Sequence, residues 1–165
     1  MNPYASFLGT RDPFKVLSTT AEELNFFVTA LGANVDTLSM APGKWTVRQI
    51  LAHLADNELA FGFRLRQGLG DPHHIIQPYD QERWADHYSV YDAASALNTF
   101  TVTREWNMKL VRALTPEELA KPITHPERGA MTMKVLIETI AGHDRNHLLQ
   151  IQSIAELAKS AGGGA

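Results

Sequence analysis

Hydrophobic residues recur at helical spacing in four long stretches of the chain. The stretches span about residues 20–40, 46–67, 92–113 and 132–159, and in each of them apolar side chains return every three or four positions. We find no convincing β-strand and no internal repeat outside them. The pattern therefore predicts an all-α protein built from four amphipathic helices.

Capping signals indicate where three of the helices begin. Thr20 is followed three positions later by Glu23, and Thr46 by Gln49, so each pair forms a capping box that predicts the start of a helix. Thr115 is followed by proline, which favours a short additional helix after the third long one.

The connections between the helices restrict how they pack. Residues 41–45 are too few for anything but an antiparallel return, whereas residues 68–91 are enough to cross the end of a bundle and deliver the third helix parallel to the second. Residues 121–131 are predicted to be a loop. We therefore expect a single four-helix-bundle domain over residues 1–160, with residues 161–165 as a disordered tail.

Composition and charge narrow the possible functions. The 165 residues are 44% hydrophobic and 20% charged, with a net charge of −3, which gives no reason to expect nucleic acid or an anionic membrane as a partner. The absence of cysteine excludes disulfides, thiolate nucleophiles and cysteine-bound zinc. We find no signal peptide or membrane-spanning stretch and predict a cytoplasmic protein.

Two histidines interrupt the apolar face of the fourth predicted helix. That face steps by three or four positions through Leu136, Ile140, His143, His147, Ile151 and Ile154. Histidines four positions apart lie on one side of a helix, where both imidazoles can reach one metal ion. Titratable side chains on a core face therefore point to a buried metal site.

A third histidine lies beside the apolar face of the second predicted helix. His53, Asn57 and Arg64 form a polar line along that helix, which predicts a wet pocket in the bundle core with Asn57 and Arg64 as substrate-pocket candidates. Three neutral imidazoles suit zinc, nickel or copper. They also leave one coordination position open, which is typical of catalytic sites.

Two commoner helical metal sites are excluded. The chain contains no Glu-x-x-His sequence, which di-iron carboxylate bundles require, and no His-Glu-x-x-His sequence of zinc proteases. Asp144 lies about 100° around the helix from His143, so we expect it to orient a neighbouring ligand or to pair with Arg145 or Arg48 rather than to bind the metal.

The remaining histidines are predicted to lie outside the metal site. We interpret His73 and His74 as solvated loop residues, with a place at the pocket mouth as the alternative for one of them. His87 is open to the same two interpretations. His125 precedes a proline and is interpreted as a turn residue rather than a fourth ligand.

Several motifs resemble those of the DinB/YfiT-like superfamily. Residues 43–48 (GKWTVR) leading into residues 51–56 (LAHLAD) resemble the second-helix signature of that family. Residues 125–136 and 143–148 are similar to its last loop and last helix, and residues 79–85 to its crossover. The resemblance covers most of the chain.

The resemblance implies an up-down-down-up four-helix bundle, nickel or zinc on His53, His143 and His147, and a homodimer. Its members include S-transferases that use bacillithiol or mycothiol, a mycothiol-dependent maleylpyruvate isomerase and proteins named as metal-dependent hydrolases. Membership by itself fixes neither the substrate nor catalysis.

Three functional hypotheses follow. The first is a metal-dependent thiol S-transferase, in which the metal activates a low-molecular-weight thiol against a small electrophile. The second is a metal-dependent hydrolase that uses metal-bound hydroxide. The third is a non-catalytic, stress-related bundle that binds metal for stability or binds a partner.

Overall fold

The computed structural model describes residues 2–162 and contains four long helices that pack as a bundle. In chain order its helices and strands are α1 (Ala5–Leu8), α2 (Pro13–Leu31), α3 (Val47–Gly70), α4 (Gln81–Ala85), α5 (Ala93–Ala113), α6 (Pro116–Leu119), β1 (Pro122–His125), β2 (Gly129–Thr132) and α7 (Met133–Gly162). The bundle consists of α2, α3, α5 and α7, and the shorter elements lie on the connections between them.

The second and third long helices, α3 and α5, run parallel. Near the start of α3, Arg48 donates to the carbonyl of Tyr91, just ahead of α5. Near the end of α3, Arg66 donates to the side chain of Asn107, in the second half of α5. The predicted up-down-down-up bundle, with its long crossover between these two helices, is therefore confirmed.

The first long helix begins seven residues before the predicted position. Asp12 caps α2 through a hydrogen bond from the backbone nitrogen of Phe14, with Pro13 at the first helical position. Thr20 lies inside the helix, where its hydroxyl donates to the carbonyl of Val16. The prediction that Thr20 starts the helix was wrong because a serine or threonine can bond to the preceding turn as well as cap a helix.

The first long helix also ends earlier than residue 40. Gly32, with a φ angle of 55°, ends α2, and a 3₁₀ helix continues from Gly32 to Asp36. An L-residue is disfavoured at positive φ, so glycine is suited to stop the helix here.

The other predicted starts agree with the structure. Thr46 and Gln49 form the predicted capping box of α3, and Asp92 caps α5 through the backbone nitrogen of Ser95. Thr115 caps the short helix α6. These starts were predictable because each cap is a local interaction within one turn.

A β-hairpin occupies most of the segment predicted to be a loop. Strands β1 and β2 pair antiparallel, with Ile123 opposite Met131 and His125 opposite Gly129. Ile123 and Met131 are buried in the core. Each strand has only four residues, too few for alternation to be recognised in the sequence, so packing rather than local pattern decides the structure.

The apolar core consists of two clusters, one towards each end of the bundle. One contains Ile50 from α3 and Ile151 from α7, and the other contains Phe61 from α3 and Ile137 from α7. On α7 the two histidines fall between the two clusters in sequence, whereas His53 on α3 lies among the residues of the first cluster. The fold therefore places a polar centre in the middle of an apolar core.

The predicted disordered tail, residues 161–165, lies only partly within the described residues. Helix α7 is described as far as Gly162, two residues into the segment predicted as a tail, and residues 163–165 lie outside the described range. None of the helices within residues 2–162 is both long and apolar enough to cross a membrane.

Candidate metal centre

Three histidines from two helices meet in the middle of the bundle. His53 on α3 faces His143 and His147 on α7, and one ring nitrogen from each lies within 4.8 Å of the others. The Nε2 atoms of His53 and His143 are 2.9 Å apart. The three side chains, here called the histidine centre, are 1%, 5% and 7% exposed.

The surroundings keep two of these imidazoles, those of His53 and His147, neutral. Burial, followed by the charges of the other two histidines, lowers the pKa of His53 to about 2. Burial and the neighbouring His143 lower the pKa of His147 to about 3. The Trp45 ring lies 5.0 Å from the ring of His53 and adds to the apolar environment. At neutral pH these two rings therefore offer lone pairs rather than positive charge.

A chain of hydrogen bonds fixes which nitrogen carries each proton. Tyr79 donates to Oδ1 of Asn57 at 2.9 Å, and Nδ2 of Asn57 lies 3.2 Å from Nδ1 of His143. Because an amide nitrogen only donates, Nδ1 of His143 accepts, and its proton lies on Nε2, towards His53. His53 accepts that proton at Nε2, so its own proton lies on Nδ1, which is 3.4 Å from the hydroxyl oxygen of Tyr88.

The third ring is fixed in the same way. His147 donates from Nδ1 to Oε1 of Gln150 at 3.0 Å, which leaves its Nε2 lone pair directed away from that bond. His53 and His147 thus already have the tautomer in which Nε2 can bind a metal, whereas His143 needs its Nε2 proton moved. The donor set fits a divalent ion with nitrogen ligands once that one proton is displaced.

A buried ionic cluster adjoins the histidine centre. Arg104 on α5 donates to Asp144 at 2.6 Å and to Glu58 at 2.7 Å, and also to the carbonyl of Leu17 at 3.0 Å. Asn107 donates to the other oxygen of Glu58 at 2.8 Å. We call Glu58, Arg104 and Asp144 the ionic cluster; together with the Leu17 carbonyl it connects all four bundle helices.

The prediction that Asp144 pairs with Arg48 or Arg145 was wrong. Arg48 pairs with Asp36 and Arg145 with Glu23, both nearer the surface. Arg104 was missed because it lies 40 residues from Asp144 in sequence, and only the bundle topology brings the two together.

One oxygen of Asp144 faces the histidine centre. Its Oδ1 is buried, has no hydrogen-bond partner among the described residues and lies 4.0 Å from Nδ1 of His143. Burial alone would raise the pKa of Asp144, but Arg104 and the neighbouring His143 together outweigh it and hold that pKa below its usual value. A carboxylate therefore stands behind the one histidine whose proton must move, an arrangement common around metal-bound imidazoles.

A cavity of about 130 Å³ opens onto the histidine centre at His143. Its polar lining comes from five parts of the chain: the N-terminal segment, α3, the crossover, the β-hairpin and α7. Beside His143, the polar side chains that line it include Tyr4, Asn57, Arg64, Tyr79, His125 and Arg128. Both substrate-pocket candidates from the sequence, Asn57 and Arg64, thus line this cavity, and their part in substrate binding stays a prediction.

The other histidines divide between surface and interior. His73 and His87 are exposed, as solvated loop residues would be. His74 is buried, so its interpretation as a solvated residue was wrong: the backbone of His74 pairs with Thr124 beside the hairpin and draws the residue inwards. His125 ends β1, is buried and lines the cavity, while its Nδ1 accepts from the backbone of Glu127.

Several residues of the site were not predicted from the sequence. Tyr4, Tyr79, Tyr88 and Arg128 come from loops or short elements, and Gln150 is one turn beyond His147. The spacing of Gln150 from His147 was a usable signal, because residues three apart meet on a helix. The loop residues had no such signal.

A glycine lets the N-terminal segment cover the site. A Cβ atom on Gly142 would lie 2.5 Å from the carbonyl oxygen of Tyr4, so a side chain there would displace that segment. The Tyr4 ring meets the ring of His143 edge-on, with 5.2 Å between centroids. Close packing at Gly142 therefore holds one wall of the cavity in place.

Together the crossover bundle and its three buried histidines define a class of helical protein with a metal site in the core. The sequence model of the DinB superfamily matches residues 16–151. The chain therefore belongs to the DinB superfamily, as its motifs indicated.

Similar proteins carry the same kind of description. A protein of Oceanobacillus iheyensis named "Putative metal-dependent hydrolase" is 30% identical over 145 residues, which cover 86% of this chain and 79% of that protein. A protein of Bacillus mycoides with the same description is 29% identical over 116 residues, which cover 69% of this chain and 66% of that protein.

Two solved structures share the fold. YfiT from Bacillus subtilis, described as "a probable metal-dependent hydrolase with an unusual four-helix bundle topology", superposes with a TM-score of 0.79 and 25% identity, covering 91% of this chain and 86% of YfiT. The mycothiol-dependent maleylpyruvate isomerase superposes with a TM-score of 0.67 and 12% identity, covering 92% of this chain and 63% of the isomerase. The second likeness shows the fold alone.

Proposed function

We propose that this protein is a metal-dependent enzyme of the thiol S-transferase type that acts on a small electrophile. The observation that carries the proposal is the convergence of His53, His143 and His147 within 4.8 Å, with His143 lining a cavity. Three nitrogen ligands and one open position suit zinc or nickel in a catalytic rather than a structural site.

Thiol activation at the histidine centre requires a metal ion, and the ligands of that ion determine which fourth ligand it favours. A divalent ion bound there would lower the pKa of a coordinated thiol and so supply a nucleophile at neutral pH. Imidazole ligands add no negative charge of their own, so the site favours an anionic fourth ligand such as a thiolate. The thiol has to be a separate molecule, because the chain has no cysteine.

The side chains of the chain hold and orient the reactants. Tyr88 and Gln150 fix the rings of His53 and His147, while Asn57 fixes that of His143. Apolar packing around the histidine centre excludes water and strengthens the electrostatic interactions within it. Asn57 and Arg64 then meet the substrate in the cavity.

Hydrolysis is the second candidate, and the descriptions of the relatives favour it. Both the Oceanobacillus protein and YfiT are described as metal-dependent hydrolases. The same open position could activate water instead of a thiol. Both reactions would use the same ligands, so a substrate test has to separate them.

The test is a paired assay of the purified protein loaded with zinc or nickel. We expect conversion of chlorodinitrobenzene that depends on an added thiol such as bacillithiol or cysteine, and loss of that activity in His147→Ala but not in His73→Ala, an exposed control. Hydrolysis of a nitrophenyl ester at the same rate with and without thiol would overturn the proposal in favour of the hydrolase. If His147→Ala lowers the melting temperature and the unaltered protein is inactive in both assays, the non-catalytic bundle is favoured.

The homodimer implied by the resemblance is part of the same proposal. Light scattering after gel filtration checks it, and a mass of about one chain would contradict it.

A further inference from the structure

Two guanidinium groups line the cavity without a carboxylate partner in the described part of the chain. Arg64 on α3 and Arg128 in the hairpin turn both border it, and neither forms a salt bridge within 4.0 Å. Arg104, which is buried in the core, differs in this respect, since it has two carboxylates at hydrogen-bond distance. The cavity therefore holds positive charge that the protein does not neutralise by direct pairing.

The Arg64 side chain is held in position for a ligand. Its Nη2 donates to the carbonyl of Gln77 at 3.1 Å, and its guanidinium lies 5.3 Å from the centre of the Tyr79 ring. Tyr79 in turn stacks on Trp84 with 4.3 Å between ring centroids. A guanidinium has five N–H donors, so most of those of Arg64 remain available while its plane is already fixed.

The charge of Arg128 reaches the same cavity. It lowers the pKa of His125, after the larger effect of burial, and Arg64 does the same. Burial lowers the pKa of Arg64, and the like charge of Arg128 lowers it further. Glu127 also lines the cavity and opposes this effect at His125, but it forms no ion pair with either arginine. Two positive charges against one negative leave the cavity attractive to an anion.

We propose that Arg64 and Arg128 form a subsite for a carboxylate group on the small molecule that occupies this cavity. A planar carboxylate matches the forked donors of a guanidinium, and binding it would relieve the repulsion between the two arginines. Because His143 lines the same cavity, one bound molecule can have its carboxylate at the arginines and its reacting group at the histidine centre. That second contact rests on the proposed function, whereas the subsite does not.

The subsite can be tested without metal, by titrating the metal-free protein with succinate in a calorimeter. We expect succinate to bind, and Arg64→Gln and Arg128→Gln each to weaken binding at least about tenfold. Arg64→Lys keeps the positive charge but loses the forked pair of donors. Its affinity for succinate should therefore lie between those of the unaltered protein and Arg64→Gln. Arg112→Gln, exposed on α5 and away from the cavity, is the matched control. No succinate binding by the unaltered protein, or equal binding by all variants, would overturn the proposal.

A second experiment identifies which reactant carries the carboxylate. Protein loaded with cobalt is titrated with mercaptosuccinate and with mercaptoethanol, and the sulfur-to-cobalt charge-transfer absorption reports thiol binding. An advantage of about tenfold or more for mercaptosuccinate, lost in Arg64→Gln, would assign the carboxylate to the thiol. Equal binding of the two thiols, with succinate binding intact, would assign it to the electrophile.

These outcomes also separate the two proposals. No charge-transfer band with either thiol would contradict the thiol-transferase function, and the succinate titration would still decide the subsite. Conversely, a strong band with both thiols and no succinate binding would leave the function standing and remove the subsite.

Discussion

The core contains two buried polar groups that lie side by side and differ in how their charge is treated. The ionic cluster of Glu58, Arg104 and Asp144 consists of charged side chains that are paired at 2.6–2.7 Å. The histidine centre consists of imidazole rings that face one another with no opposite charge between them. The ionic cluster pairs each of its charges internally, whereas the histidine centre has ring nitrogens that converge on one point and could bind an ion.

The difference shows how a helical core can hold a reactive site without losing its fold. Burying an ion pair costs desolvation free energy, which is offset only when the charged groups are well placed. The ionic cluster therefore needs all its members in position, and it connects the helices in one arrangement. The histidine centre joins α3 and α7 through the 2.9 Å contact of His53 with His143, whereas the ionic cluster with the Leu17 carbonyl joins all four bundle helices. The centre therefore contributes less to holding the helices together. We infer that the ionic cluster fixes the geometry that the histidine centre uses.

The largest expected effect is the loss of metal from the histidine centre. His53→Ala should reduce bound zinc or nickel from about one ion per chain to less than about a tenth, because two imidazoles alone hold these ions poorly. Elemental analysis after expression in metal-supplemented medium checks this. His73→Ala is the matched control. Equal metal contents in the two variants would contradict the assignment of His53 as a metal ligand.

Next in size is the cost of breaking the ionic cluster. Arg104→Met should lower the free energy of unfolding by about 3–5 kcal/mol at neutral pH, because it leaves two buried carboxylates without their cation. Urea denaturation of the metal-free proteins measures the change. Arg112→Met, at an exposed position of the same helix, should stay within about 0.5 kcal/mol. Similar losses of unfolding free energy in the two variants would contradict the inference that the ionic cluster holds the helices in place.

Acid should destabilise the metal-free protein through the histidine centre. The pKa values of His53 and His147 in the folded state, about 2 and about 3, lie below the ordinary value of 6.5. The unfolded chain therefore binds more protons, and stability falls as the pH drops below 6.5 towards those values. Each histidine contributes a slope of about 1.4 kcal/mol per pH unit.

This slope can be assigned by substitution. Urea midpoints at several pH values between about 7 and 5 in the presence of a chelator give the dependence. A His53→Asn, His147→Asn double variant should show a flatter profile than the unaltered protein. Parallel profiles would mean that the acid sensitivity comes from elsewhere, with the ionic cluster as the first alternative.

The smallest expected effect concerns the link between Asn57 and His143. Metal binding through Nε2 of His143 requires an acceptor for a proton on Nδ1. Asn57 is the nearest side chain, and its amide supplies that acceptor when it turns Oδ1 towards the ring. Asn57→Leu should weaken zinc affinity about 10–100-fold, and Asn57→Asp should preserve it. Competition with a zinc-binding dye measures both. If Asn57→Leu has no effect, the unpartnered oxygen of Asp144 becomes the better candidate for that acceptor.

The sequence made the helices and the metal ligands predictable because both depend on local spacing. His143 and His147 share a helical face whatever the rest of the chain does, and the capping box at Thr46 closes within one turn. The start of α2 was misplaced because two signals competed, and Asp12 followed by proline was the one used. Both signals follow the same local capping rule, and Asp12 with Pro13 is the one that satisfies it in the structure.

The rest of the site depends on contacts between distant segments. Arg104 reaches its carboxylates, and Tyr88 reaches His53, only after the helices have packed. The hairpin forms from strands too short to show a pattern, and it is the hairpin that carries Arg128 to the cavity. No spacing rule covers such pairs, so the cavity wall could not be predicted from the sequence alone.

This division has an evolutionary consequence. The metal ligands lie on two bundle helices, whereas much of the cavity wall comes from the N-terminal segment, the crossover and the hairpin. Mutations in those connecting segments can change which molecule fits without moving a single ligand atom. A fold arranged in this way can acquire new substrates while retaining its reactive centre, and relatives with matching histidines can differ in what they convert.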